Sequence, residues 1–279
     1  MPRIPSSIPM PATQFAGLPS GLVPRVEKVV GQLKVVQGAR AVPWIMIDID
    51  DAERFVKEGR SAVQVFPGGR VVTTSTVHDR ILSGYHLERE LKVVRSFEPA
   101  LHVPSDRPVY QEDNREERLW FIEKMVEGTL ALRDGLAGTG IQLLPLIKGM
   151  TPEEWQHAHD PLAQEGFAAF SFYGKQYFGG GVGKRDLELT CTVRALLSTC
   201  NIRYLLLIGY QSARRVPDLP SSVRAFAGQR WRSQCKVGEA TVARSRLLLE
   251  DLVSASRERR RPRQEVLVQA KAAEPVEVE

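Results

Sequence analysis

The chain has 279 residues, 43% of them hydrophobic and 25% charged, with a formal net charge of +5. That apolar share supplies a core for one large domain or two small ones, and the modest positive excess suits a phosphate-bearing partner as well as a plain soluble enzyme. Three cysteines (Cys191, Cys200, Cys235) without CxxC or Cys/His spacing exclude a zinc site of familiar pattern, no apolar run is long enough to cross a bilayer, and the expected setting is reducing and cytoplasmic, with no metal, no cofactor and no membrane partner.

Residues 1–21 are rich in Pro, Ser and Gly and read as a flexible arm; prolines stand where a signal peptide would need an apolar helix. Val26, Val29, Val30 and Leu33 recur at helical spacing, which predicts a helix over 23–37. The run AVPWIMIDI over 41–49 predicts a buried strand ending in Asp48, Asp50 and Asp51, and DAERFVKEG a short helix closed by glycine. β-branched runs on both sides of Pro67-Gly68-Gly69 predict a hairpin over 61–74. A long amphipathic helix is expected over 77–97, a short strand over 100–104, and a second long helix over 114–136.

From Ile141 to Tyr210 the pattern is strand, helix, strand, Gly-rich loop, helix, strand. Thr151 as cap, Pro152 in the first turn and Glu153-Glu154 near the dipole mark the helix start after LLPLIKG. The stretch 220–226 reads as a short helix or the approach to a last strand, 241–258 as a helix, and 257–279 as a basic-to-acidic disordered tail. About six β-α units in 22–256 predict an α/β fold, a complete or slightly reduced (β/α)8 barrel of the TIM type.

Such a barrel builds its site where strands end. Asp48 and Asp106 end apolar runs, so two carboxylates are available for acid/base or recognition work. Helix capping for Asp50 and Asp51, and a turn role for Asp106, explain the same residues without function. Lys148-Gly149 and Gly174-Lys175 also follow strand runs. The 179–183 glycines lack P-loop spacing, though a phosphate could meet their backbone. Two residues apart, His157 and His159 point to different helix faces, which argues against zinc. Arg214, Arg215, Arg230 and Arg232, with Trp231, form a basic stretch able to meet a phosphate backbone and stack a base.

In order and spacing these segments resemble the tRNA-guanine transglycosylase superfamily, in particular its divergent archaeal and viral-type members and the relatives that insert 7-deazaguanines into DNA. The resemblance covers roughly residues 42–231. ALHVPSDRPVY resembles the strand ending in a base-recognising aspartate, which would be Asp106. MIDIDDAERF falls in the Asp-Ser-Gly-Gly slot, with Asp48 as the match. LLPLIKG resembles the Val-Gln-Gly-Gly strand, placing Lys148 and Gly149 at base contacts, and FSFYGKQ resembles the following loop, placing Gly174 and Lys175 there. The resemblance implies replacement of guanine by a 7-deazaguanine in tRNA or DNA, by a homodimer or heteromer.

Two departures stand out. The family's nucleophilic aspartate slot falls in RAFAGQ, at Ala227 or Gly228, with no carboxylate, and the family's zinc cluster is missing. Asp48 would then act as acid/base or as the nucleophile itself. A non-catalytic homologue that binds nucleic acid or partners a catalytic subunit is the alternative. A third reading is an unrelated barrel enzyme using Lys148 and the 179–183 loop on a phosphorylated small molecule.

Overall fold

Short runs of valine, isoleucine, leucine and phenylalanine, buried on both faces, pair side by side into one wholly parallel sheet. The computed structural model describes residues 15–110, 112–174, 186–210, 218–229, 231–232 and 242–258. The expectations for Lys175, Arg214, Arg215, Arg230, Cys235, the 179–183 loop, positions 1–14 of the arm and the tail from 259 onward fall outside the described residues.

In chain order the described elements are β1 (Gly21–Val26), α1 (Val30–Gly38), β2 (Trp44–Asp48), α2 (Ile49–Lys57), α3 (Ala62–Val65), β3 (Arg70–Thr74), α4 (Asp79–Leu82), α5 (Leu87–Phe97) and β4 (Leu101–Val103). Then come α6 (Arg115–Gly135), β5 (Gln142–Leu143), β6 (Leu146–Ile147), α7 (Pro152–Gln164), β7 (Ala169–Tyr173), α8 (Asp186–Thr199), β8 (Tyr204–Ile208), β9 (Val223–Gly228) and α9 (Val242–Glu258).

The sheet order is β5-β4-β3-β2-β1-β9-β8-β7-β6. Its two ends, β5 and β6, are halves of one bent segment parted only by Leu144 and Pro145. On one side Leu144 N–H donates to His102 O at 2.8 Å; on the other Ser171 N–H donates to Pro145 O at 2.7 Å. Proline has no N–H to leave unpaired at the bend. Ser171 Oγ, buried inside, lies 3.2 Å from both the Leu144 and Pro145 carbonyls. The bent segment brings the ends of the sheet together, and the fold is an α/β barrel of the TIM type.

Register sets which side chains face the interior. Arg25 pairs with Met46, Asp48 with Thr74, Thr74 with Val103, and Tyr173 with Ile208. Parallel partners share a face, so Arg25, Asp48 and Tyr173 point inward with Met46, Val72 and Leu206, at the C-terminal end. Thr73, His102 and Ile47 point outward to the helices.

The structure corrects three sequence expectations. Residues 21–26 form β1 and not the start of a helix: Pro24 and Arg25 break the apolar run, but its other neighbours in the sheet bury all six residues. The span 61–74 is no hairpin. Ser61 and Gln64 form a capping box that starts α3, and Pro67-Gly68-Gly69 leads into β3, parallel to β2. The expected helix over 77–97 is two helices, α4 and α5, parted at Ser83–His86. Residues 15–20 of the expected arm run across the barrel's N-terminal end: Phe15 packs 5.5 Å from the Tyr204 ring, and Tyr204 Oη donates to Pro19 O at 2.8 Å. The cap read at Thr151 is present, Thr151 accepting from Glu154 N–H at the start of α7; at the start of α6 Asn114 accepts from Glu117 N–H in the same way.

Two ion networks bind helices together. Fully buried Glu154 accepts from Arg118 of α6 at 2.8 and 3.0 Å and from Met150 N–H at 2.6 Å. Glu154→Ala leaves Arg118 shielded and unpaired, and is expected to cost about 3–5 kcal/mol in chemical denaturation. Partly buried Glu53 is held by Arg89, Tyr85 and Lys57 across α2 and α5. Chiefly through Arg89, its carboxyl is lowered to about 2. The group is depressed, so its stabilisation is complete above the unfolded value near 4.5 and is lost as pH falls towards 2. Wild type is expected to exceed Glu53→Gln in thermal midpoint at pH 6, with the gap closing between about pH 4.5 and 2.

Candidate functional site

The strand ends converge on a cavity of about 940 Å³ at the C-terminal mouth. Its walls carry Arg25 from β1, Asp48 from β2, Thr76 beyond β3, Asp106 beyond β4, Lys148 beyond β6 and Tyr173 from β7. Gly209 beyond β8, Gly228 at the end of β9 and Gln229 just after it complete the ring.

Asp48 is the residue before α2, but its carboxylate caps no helix N–H. It accepts instead from Arg25 Nε at 2.6 Å, while Arg25 Nη2 donates to Thr76 O at 2.7 Å. Burial alone would lower the Arg25 pKa; Asp48 more than offsets this, the value is raised, and the guanidinium stays charged. Asp50 and Asp51 lie in the first turn of α2. Buried Asp51 accepts from Lys28 N–H at 2.9 Å and from Arg54 at 2.9 Å. Asp50 also pairs with Arg54, at 3.4 Å, and burial followed by Asp48 pushes its carboxyl up.

Asp106 is buried in the mouth wall and ion-paired with Lys148, whose ammonium also donates to Arg107 O at 2.5 Å. Burial pushes the Asp106 carboxyl up, with Lys148 working against it. Asp48 and Asp106 thus share one cavity in different settings, one beside a guanidinium and the other dry and next to an amine. Separated environments of this kind let two carboxyls take different protonation roles.

Apolar side chains also line the mouth, among them Val29, Val77, Ile81 and Val109. Tyr110, half-exposed at the rim, donates its hydroxyl to Asp79 and links the loops after β3 and β4. A planar group could lie against these apolar side chains with its polar edge towards Asp106. Sequence reading missed Arg25 and Tyr110. Arg25 sat in an unrecognised strand; for Tyr110, an aromatic four positions beyond a strand-end aspartate was the available signal.

The remaining expectations divide. Gly149 adjoins the mouth rather than lining it: its φ is +135° and an added Cβ would lie 2.7 Å from Glu154 Cβ, so it serves the tight packing of α7. Gly174 is buried against Leu189 and Leu207, away from the cavity lining. Arg232 pairs with Glu27 at 2.6 Å and with Gln229 at 2.8 Å. Trp231 is buried and donates to Arg25 O at 3.0 Å, so it braces β1 and cannot stack a base. Ala227 faces inward, buried, and Gly228-Gln229 reach the mouth where the resemblance would need a carboxylate. The Lys148 ammonium is held by Asp106 and by Arg107 O. His157 contacts Glu123 and His159 contacts Asp160. Among the described residues, no group of three or more His, Cys, Asp or Glu side chains is placed to hold a metal ion, and no helix is long and apolar enough to cross a membrane.

The Arg25–Asp48 pair can be measured directly. Arg25→Met strands a shielded carboxylate and Asp48→Asn strands a shielded guanidinium, so each is expected to lose about 3–5 kcal/mol of stability, the double variant losing less than the sum. A coupling energy of about 1–3 kcal/mol in a denaturation cycle is expected. No protein-family model and no curated protein matches this chain.

Proposed function

We propose that the mouth binds a purine-like base and exchanges it at an N-glycosidic bond, replacing guanine by a 7-deazaguanine in tRNA or DNA. The observation that carries this reading is the convergence of Asp48 and Asp106, in contrasting environments, on one half-apolar cavity. The order of segments resembling the transglycosylases supports it.

In this reading Asp48, held in place by Arg25, attacks the anomeric carbon as the guanine–sugar bond breaks. The leaving guanine takes up a proton. The incoming base then loses one and displaces the Asp48 carboxylate, which restores the enzyme. Asp106 reads the polar edge of a base removed from its stack, against the apolar side chains. Buried beside Lys148, the Asp106 carboxyl offers acceptor oxygens to the donors of that edge.

A second reading has its own observation. The buried methyl of Ala227 occupies the expected nucleophile slot, and Asp48 is already engaged by Arg25. A mouth that binds a base and turns nothing over, beside nucleic acid or a catalytic subunit, fits those two facts.

Labelled-guanine exchange into tRNA and DNA, with calorimetry on free guanine, separates the two. Under the first reading wild type exchanges. Asp106→Asn weakens guanine binding by about 1–3 kcal/mol. Asp48→Asn binds normally but does not turn over. Binding without exchange in wild type selects the second reading, and no binding at all overturns both.

A further inference from the structure

An uninterrupted strand would not put Asp106 in the mouth. Leu101 and Val103 face the barrel interior, so strict alternation would turn position 105 inward and position 106 outward. The opposite occurs. Ser105 adopts a left-handed backbone, φ +51°, which reverses the sides. Its side chain lies against α6, where a Cβ added to Gly128 would fall 2.0 Å from Ser105 Oγ. Asp106 then enters the mouth. A left-handed serine is strained and persists only where its surroundings hold it.

What holds it is a buried polar group outside the cavity. Glu90 Oε1, on the inner face of α5, accepts from Ser105 N–H at 2.9 Å and lies 2.9 Å from His102 Nε2. His102 Nδ1 lies 2.9 Å from Thr73 Oγ1, its register partner on β3. Glu90, His102 and Thr73 are all buried. On the far side of the turn, Asp106 N–H donates to Ser75 Oγ at 2.9 Å. A carboxylate in an apolar layer between sheet and helix is costly unless its bonds are made. Here they are made to the one residue whose backbone decides where Asp106 points.

We propose that Glu90 is a positioning residue: anchored by His102 and Thr73, it locks Ser105 in the left-handed conformation that delivers Asp106 to the mouth and to Lys148. The ligand-binding consequence rests on the reading of Asp106 as the base-recognising group; the conformational consequence does not.

The test uses the full chain at a temperature where each variant is folded by circular dichroism. Lys148 reports the position of Asp106, through its reactivity to an amine-acylating reagent read by mass spectrometry. Glu90→Leu is expected to raise Lys148 acylation and to weaken guanine binding about 10- to 100-fold. Glu90→Gln keeps an acceptor oxygen for both donors and is expected to leave Lys148 protected. Adding Ser105→Gly to Glu90→Leu should restore protection, because glycine holds a positive φ without the lock. Glu90→Asp, which retracts the carboxylate by one carbon, gives the milder form of the same result and replaces Glu90→Leu if that variant does not fold. Unchanged Lys148 protection in folded Glu90→Leu or Glu90→Asp overturns the proposal, as does failure of Ser105→Gly to restore it. If wild type binds no guanine, the base-exchange reading fails, while the Lys148 measurements still decide the role of Glu90.

Discussion

Closure of the parallel sheet is the constraint on which the rest of the molecule depends. A parallel sheet left open would expose two unpaired edges, and its strand ends would fan apart. Here the two edges are the halves of the segment 142–147, bent at Leu144-Pro145 so that one half serves β4 and the other β7. The bend places a proline where the ladder changes partner, so no donor is lost. Once the ring is closed, Arg25, Asp48, Asp106, Lys148 and Tyr173 cannot avoid each other, although 148 positions along the chain separate the first from the last.

A ring of inward charges in a dry barrel has to be neutralised locally, and the pairing follows a consistent logic. Arg25 is met by Asp48 from the next strand, Lys148 by Asp106 from across the bend, and Glu154 by Arg118 from the adjacent helix. The first pair ties β1 to β2, the second ties the loops after β4 and β6, and the third ties α6 to α7; leaving any member alone would strand a shielded charge.

Backbone strain does the remaining work. A left-handed serine before Asp106 exchanges the faces that a regular strand would assign, and the polar contacts behind it lie outside the cavity. The turn that carries Asp106 into the mouth is thus contacted by side chains in the layer between sheet and helices.

Much of this was legible in the chain, for identifiable reasons. β2, β4, β7 and β8 are apolar runs that stay buried on both sides, and α6 and α7 begin at Asn114 and Thr151, whose side chains answer orphan N–H groups within four residues. Local interactions of that kind are written in short windows of sequence. β1 was not legible, because Pro24 and Arg25 look wrong for a strand until β2 and β9 flank it and Asp48 meets the guanidinium. The supposed hairpin failed because turn-forming residues show where the chain bends and not with which strand it pairs. The sequence by itself determined the βα alternation and the presence of carboxylates at the ends of β2 and beyond β4. Only the tertiary structure decided that those carboxylates share a cavity, that Arg25 and Lys148 are their counterions, and that Gly174 and Trp231 belong to the packing. Those outcomes depend on register and closure between segments far apart in the chain, which no local pattern encodes.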